Sequence, residues 1–526
     1  MSSADGWSLQ RLTPPSRLFG ANGVRTGPDG RIYVAQVTGS TISALDVGTG
    51  AVETISAKGS EIIAPDDVAF DSKGTLYATE YLDGRVSALN PDGSTRLLRA
   101  DLPGANGITV HQDRLFINEC RIGGRLMELP VDGSAPRVLV DNIMMPNAME
   151  VGPDGLLYYP VMASNDIWRI DPDGGGEPER VTGDLAAPDS VKFDAEGFIV
   201  STQAGSGEVV RVNPRTGEKT SLAQLAPGLD NCTFVDGRLF VSSFTGAITE
   251  ILGGGKTEEL LPGALNWPLG LSVGPDGDLY VADGPYFYRL SPDGELQTLA
   301  MLLLPGYPGH IRGVVAVGGG EFLASTSNGD PSRGGEVVRY RPASGECEPV
   351  ASGLGRLGGL AVAPDGAVIT VEQDDGRVLS ARAGHVEVLA TGLDQPLGVA
   401  FGAGGRLLVS ESAGGRVVEI TKTGADTLVD GLGDPQGLLV RDGQLFIVDA
   451  GAKTVVRVDL DTKAQDVVAR NVPFGAPPGV TPKPLRGIPP FSGPQGPFAG
   501  IAAGPDGTIY LSGDADGSVL TLRRTG

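Results

Sequence analysis

Only three cysteines and three histidines occur among 526 residues, and 6% of the chain is aromatic. Cys120, Cys232 and Cys347 are odd in number and far apart, which argues against a disulfide framework or a cysteine metal cluster and fits a reducing compartment. There is no run approaching about 18 uninterrupted apolar residues, and no basic segment followed by an apolar core near Met1. A cytoplasmic protein without a membrane span is therefore expected. Basic residues are outnumbered, 41 Lys and Arg against 64 Asp and Glu, for a net charge of -23. Such a chain repels phosphate backbones and anionic lipid, which argues against nucleic-acid and membrane partners and favours attraction of cations. No Gly-x-Ser-x-Gly element is present in the first half, which holds one histidine, His111, beside a turn; a serine hydrolase triad is not expected there.

Turn formers and apolar residues are plentiful: 80 glycines, 39 prolines and 40% hydrophobic residues. They are arranged in a unit that recurs twelve times, as in "GPDGRIYVAQVTGSTISALD", "AEGFIVSTQAGSGEVVRVNPRTG" and "GPDGDLYVADGPYFYRLSPDG". Each unit holds three or four short runs of period 2 bounded by turn residues, with no sustained helical period. Four short strands per unit of about 40 to 50 residues describe a propeller blade, and twelve blades exceed the usual ~4 to 8 per ring. The expected fold is all-β: two tandem six-bladed β-propellers of four-stranded antiparallel blades, residues 1–255 and 256–526, divided near the Gly-rich stretch 252–260. "WSLQRL" (7–12) reads as an outer strand with no blade before it, able to complete a blade far along the chain in either ring. The Pro-rich segment 471–497 shows no strand pattern and reads as a semi-rigid loop over the second ring, a lid or a spacer.

One position stands out. In "MPNAMEVGPDGLLYYPV" (145–161) an Asn precedes an alternating apolar run, and the place eight residues before the turn glycine, or before Arg114 that replaces it in the third unit, and seven before it in the sixth, holds Asn22, Asp66, Asn106, Asn147, Asp189 and Asp230. First strands of blades line a propeller channel, so these six side chains are expected to converge at its mouth as an oxygen-rich cage. Hard divalent cations take ~6 to 8 such oxygens, which favours Ca²⁺, with Zn²⁺, Mn²⁺ and Mg²⁺ as alternatives. Local turn formation alone would also favour Asn and Asp here. The second half is an internal control: the same blades carry Leu269, Arg312, Gly358, Leu397, Gln436 and Ala499 there. Blade construction thus does not require the acids and amides. A second acidic column, Glu80 and Glu119 in the first half, recurs as Asp283, Glu372, Glu411 and Asp449 in the second, which reads as loop capping. Glu80, Glu119, Asp67 and Asn231 are reserve metal or substrate contacts.

The stretches "PNAMEVGPDGLLYYPVMASNDIWRIDPDG" and "APDSVKFDAEGFIVSTQAGSGEVVRVNPRTG" resemble blades of the gluconolactonase and regucalcin-like (SMP-30/gluconolactonase/LRE-like) propellers, and more distantly of paraoxonase and strictosidine-synthase-like propellers. The resemblance covers Met1 to about Gly255; the second half resembles propellers only generically. It implies that Asn147 and Asp189 are metal ligands, that Asn106 is a ligand or substrate contact, and that Asp189 is the general base. "LDNCTF", with Asp230 and Asn231, is similar to the Asp-Asn ligands of paraoxonase-like propellers. The chain departs from the family at Asn22, where the first blade normally supplies Glu. The expected function is a divalent-metal-dependent hydrolase acting on a lactone or related cyclic ester, a small-molecule substrate. The alternatives are a non-enzymatic binding or scaffold protein with a structural calcium ion, whose second ring meets a protein partner, and a metal-dependent lyase or isomerase.

Overall fold

Short alternating segments ending at Gly-containing turns can bury one face only by stacking on like segments, and they do so twelve times. The protein, described by a computed structural model over residues 1–327, 329, 334–476, 480, 486–487 and 491–525, is built of twelve antiparallel sheets. It divides into two compact units, each a six-bladed propeller. No helix among the described residues is long and apolar enough to cross a membrane.

The first ring comprises Arg17–Ala264 together with Val480. Its innermost strands include Val24–Thr26, Pro65–Phe70, Ala105–His111, Glu150–Val151, Lys192–Phe193 and Leu229–Val235, and in each blade the following strands pair outward in chain order. Apolar faces of neighbouring blades seal against one another: Phe116 and Leu126 of the third blade pack on Met149, Leu157 and Tyr159 of the fourth. Leu18, Val24 and Val34 pack on Val235, Phe240 and Ile248, closing first blade to sixth. Each such Leu, Val or Phe contributes about 1.5 to 3 kcal/mol when fully buried.

The second ring contains the other described residues from Leu265 onward, and also Met1–Ser16. Trp7–Arg11 pairs with Ser518–Arg524 and supplies the outer strand of the last blade, and Ser2–Ser3 adds a fifth strand beside Gln465–Arg470. The sequence alone left the ring closed by this strand undecided. The division at 255/256 drawn from the sequence falls within a hairpin, between Ile248–Gly253 and Lys256–Leu261. The two paired strands keep that hairpin in the first ring, and the units divide at Ala264/Leu265. Part of the Pro-rich segment 471–497 lies outside the described residues; its end packs on the second ring, where the His310 amide donates to Ser492 Oγ at 2.9 Å.

Candidate functional site

The innermost strands do not run straight through the acidic column. In the second blade Pro65 pairs with Glu80 and Val68 with Ala78, so Asp66 and Asp67 form a bulge opposite Thr79. The third and sixth blades repeat this at Asn106 and Gly107 and at Asp230 and Asn231. A bulge re-aims side chains at the expense of ladder hydrogen bonds, and hydroxyl or amide groups on the second strand replace the lost partners. The Asp67 amide donates to Thr79 Oγ1 at 3.1 Å, the Gly107 amide to Asn118 Oδ1 at 3.1 Å, and the Asn231 amide to Ser242 Oγ at 3.0 Å. The same groups reach the following blade: Asn118 Nδ2 donates to Asn147 O at 2.6 Å and Ser242 Oγ to Asn22 O at 2.7 Å. Close blade approach also explains a glycine, since a Cβ at Gly23 would stand 2.6 Å from the Asp66 carbonyl oxygen.

These devices bring residues far apart in sequence together. Asn22 Nδ2 donates to Asp230 Oδ2 at 3.0 Å across 208 positions, while Asn22 Oδ1 accepts from the Val37 amide at 3.0 Å. Asn22 thus holds Asp230, and its own oxygen is engaged by backbone. Asn147 anchors Nδ2 on the Met162 sulfur at 3.2 Å, leaving Oδ1 as the arm available to a cation. Asp66, Asn106, Asn147, Asp189 and Asp230 are all buried and Asn22 is half-buried. Burial and the neighbouring Asp67 raise Asp66 to about 8. Burial, Asp66 and Asp67 raise Asp189 well above the carboxylate range, and burial, Asp189 and Asp66 do the same for Asp230. Like-charge repulsion from carboxylates of blades 2 and 5 thus adds to burial in raising Asp189 and Asp230.

Among the described residues no group of three His, Cys, Asp or Glu side chains has the arrangement of a ready metal site. A cation in this channel would therefore need the amide oxygens of Asn106 and Asn147 beside the carboxylates. Two observations fit such a cation: Asp189 Oδ1 is buried without a hydrogen-bond partner, and the donor set is oxygen, suited to hard ions. An orphaned buried carboxylate oxygen carries the desolvation cost of that group unless something positive meets it.

The reserve residues are placed differently. Asp67 accepts from the Val68 and Ile108 amides at 2.8 and 3.2 Å and from Asn231 Nδ2 at 3.4 Å, linking blades 2, 3 and 6. Glu80 accepts from the Ile63 amide at 2.7 Å, from Arg85 and from Ser87, and Glu119 is held by Arg121 and Arg125. In the second ring Glu372 likewise accepts from the Gly355 amide at 2.6 Å and pairs with Arg377. These carboxylates cap loops. Glu80→Gln is expected to destabilise the protein by about 3 kcal/mol, the scale for breaking a buried ion pair, with calorimetric cation affinity unchanged; a lost cation site with unchanged melting would reverse the assignment.

A further layer lies three residues along the same strands. Arg25 pairs with Glu150 at 2.5 Å, Lys192 with the same Glu150 oxygen at 3.1 Å, and Thr109 Oγ1 donates to Glu150 at 3.0 Å. Burial opposes ionisation of Glu150, but Arg25 and Lys192 bring it down to about 2. This network ties blades 1, 3, 4 and 5. Sequence reading missed it, although the regular spacing from Asn22, Asn106, Asn147 and Asp189 was a usable signal. In the second ring Trp267, Leu269, Leu397 and Phe498 form an apolar cluster instead.

Residues 10–245 match the family model of the SMP-30/Gluconolactonase/LRE-like region. A gluconolactonase of Zymomonas mobilis subsp. mobilis is 26% identical over 234 residues, covering 41% of this chain and 58% of that protein, so the chain spans less than two thirds of that relative's length. Among solved structures, a streptogramin B lyase aligns at 20% identity with a TM-score of 0.40, covering 53% of this chain and 95% of its own. A gluconolactonase from Xanthomonas campestris aligns at 18% identity with a TM-score of 0.39, covering 46% of this chain and 88% of its own.

Proposed function

Taking as premise the match of residues 10–245 to the SMP-30/Gluconolactonase/LRE-like region, we propose that the first ring is a divalent-cation-dependent hydrolase of a lactone or related cyclic ester. The observation that carries this reading is the buried, unpartnered Asp189 Oδ1 among converging carboxylates. Asp66, Asn106, Asn147, Asp189 and Asp230 would hold the cation, with Asn22 orienting Asp230. Bound there, a divalent ion, Ca²⁺ before Zn²⁺, Mn²⁺ or Mg²⁺, would supply positive charge to polarise an ester carbonyl.

The chain's own part is proton handling. Without a cation, burial and the neighbouring Asp66 and Asp67 raise the proton affinity of Asp189; a bound cation would offset this and hold the carboxylate in the ionised form that a general base needs. Once ionised, Asp189 would take a proton from a water attacking the carbonyl carbon and return it to the alkoxide leaving oxygen as the ring opens.

A lactone panel assayed before and after chelation tests this. Chelator is expected to abolish opening of at least one lactone, and Ca²⁺ to restore it. Loss of thermal stability on chelation, with no lactone opened by the untreated protein, would favour a structural ion in a binding or scaffold protein.

A further inference from the structure

The second ring lacks the Asn and Asp column of the first, and at the equivalent place in its second blade it holds Arg312, 3% exposed. Nη1 is satisfied, donating to Leu357 O at 2.6 Å and Gln373 Oε1 at 2.7 Å. Nε and Nη2 have no hydrogen-bond partner among the described residues. Those two nitrogens form one edge of the planar guanidinium, the edge that offers two parallel N–H groups to a carboxylate.

The surroundings add positive charge. Among the described residues Arg356 and Asp374 are the charged groups acting on Arg312, and Asp374 is already engaged by Arg356, at 2.6 and 3.2 Å. A Cβ on Gly496 would stand 2.5 Å from Arg312 Nη2 and 3.6 Å from Arg356 Nη1. The Gly496 backbone thus lies close against both guanidinium groups, and a side chain there would crowd Arg312 Nη2. The equivalent place in the next blade is also glycine, Gly358. The segment 471–497 contains no Asp or Glu, so it brings no carboxylate of its own.

We propose that the second ring binds a small carboxylate on the Nε–Nη2 edge of Arg312, with Arg356 as the second cation. A buried charge left unpaired is strongly destabilising, and a planar monoanion matches the fork and the confined space better than a tetrahedral phosphate. The class includes the hydroxy acids that lactone opening would release, but the site stands without that reading.

The test is a titration of the full chain with formate, acetate, phosphate and chloride at fixed pH and ionic strength, followed by thermal melting and calorimetry. Formate and acetate are expected to raise Tm saturably, with phosphate and chloride at least tenfold weaker. Arg312→Met should melt no lower than the parent in carboxylate-free buffer and lose the carboxylate response; Arg356→Met should weaken it severalfold. Gly496→Ala retains Arg312 but puts a methyl against Nη2, and should lose the response even if Arg312→Met fails to fold. No saturable carboxylate response in the parent, or an unchanged one in Gly496→Ala or Arg312→Met, overturns the proposal, and equal binding of phosphate overturns the ligand class.

Discussion

Asp189→Asn is expected to lower lactone turnover by about three orders of magnitude, within the range lost when a positioned general base is removed. The substitution keeps the shape of the side chain and one oxygen but removes the charge and the basicity. The fold should tolerate it: Asp189 Oδ1 has no hydrogen-bond partner to lose, and removing the Asp189 charge relieves Asp230. The thermal midpoint without cation should therefore hold or rise while activity collapses. Steady-state kinetics with melting curves on the same preparations separate the outcomes. Full turnover with intact cation occupancy would remove Asp189 from the chemistry, and joint loss of activity and folding would make it structural.

The second large effect concerns pH. Stripped of divalent ions, the protein should become less stable as pH rises from about 4 to about 8. Asp66 is raised from 3.8 to about 8 when folded, and Asp189 and Asp230 are raised with it. Across that window the folded state holds protons that the unfolded state has released, so stability is greatest below the unfolded value and falls as pH climbs through the folded ones. Each group in that condition costs about 1.4 kcal/mol per pH unit. Glu150 acts outside the window: held at about 2, it contributes stability above its unfolded value near 4.5 and loses it only in acid. Excess Ca²⁺ should restore stability most at the alkaline end, because cation and protons compete for the same oxygens. Melting curves between pH 4 and 8, with chelator or with Ca²⁺, check this; a flat profile without cation would mean that the carboxylates are not coupled in a closed channel.

The architecture was legible because each blade repeats its punctuation, so "PDG" before "LYV" marks a strand pair without knowledge of its neighbours. Comparing Asn147 or Asp189 with Leu397 or Gln436 at the same place showed that the column was not a requirement of the fold. The contacts were less legible because side-chain direction depends on bulges, which appear only when strands are paired. Asn22 looks like any other member of the column, yet its oxygen is taken by the Val37 amide. Thr79, Asn118 and Ser242 read as ordinary strand residues, although they hold successive blades together through hydrogen bonds between residues that are remote in sequence. Arg25, Glu150 and Lys192 were overlooked because a lone charge in a strand usually faces solvent, and only ring closure turns them toward one another.

The strand Trp7–Arg11, paired with Ser518–Arg524, makes the chain a nested sentence: one propeller is a clause opened and closed inside another. The inner clause, 17–264, contains the strands of all six of its blades and can be completed while the ribosome is still translating the rest. The outer clause stays open until its final words are spoken, because its first strand has waited through more than 500 residues for its partner. Cutting the chain at Ala264 would leave the inner propeller whole with an orphaned leader, and would leave the outer one lacking a strand of its last blade. Refolding from denaturant should accordingly show the carboxylate-lined ring recovering first and at a rate indifferent to deletion of the first twelve residues, while the ring that holds Arg312 loses its closure.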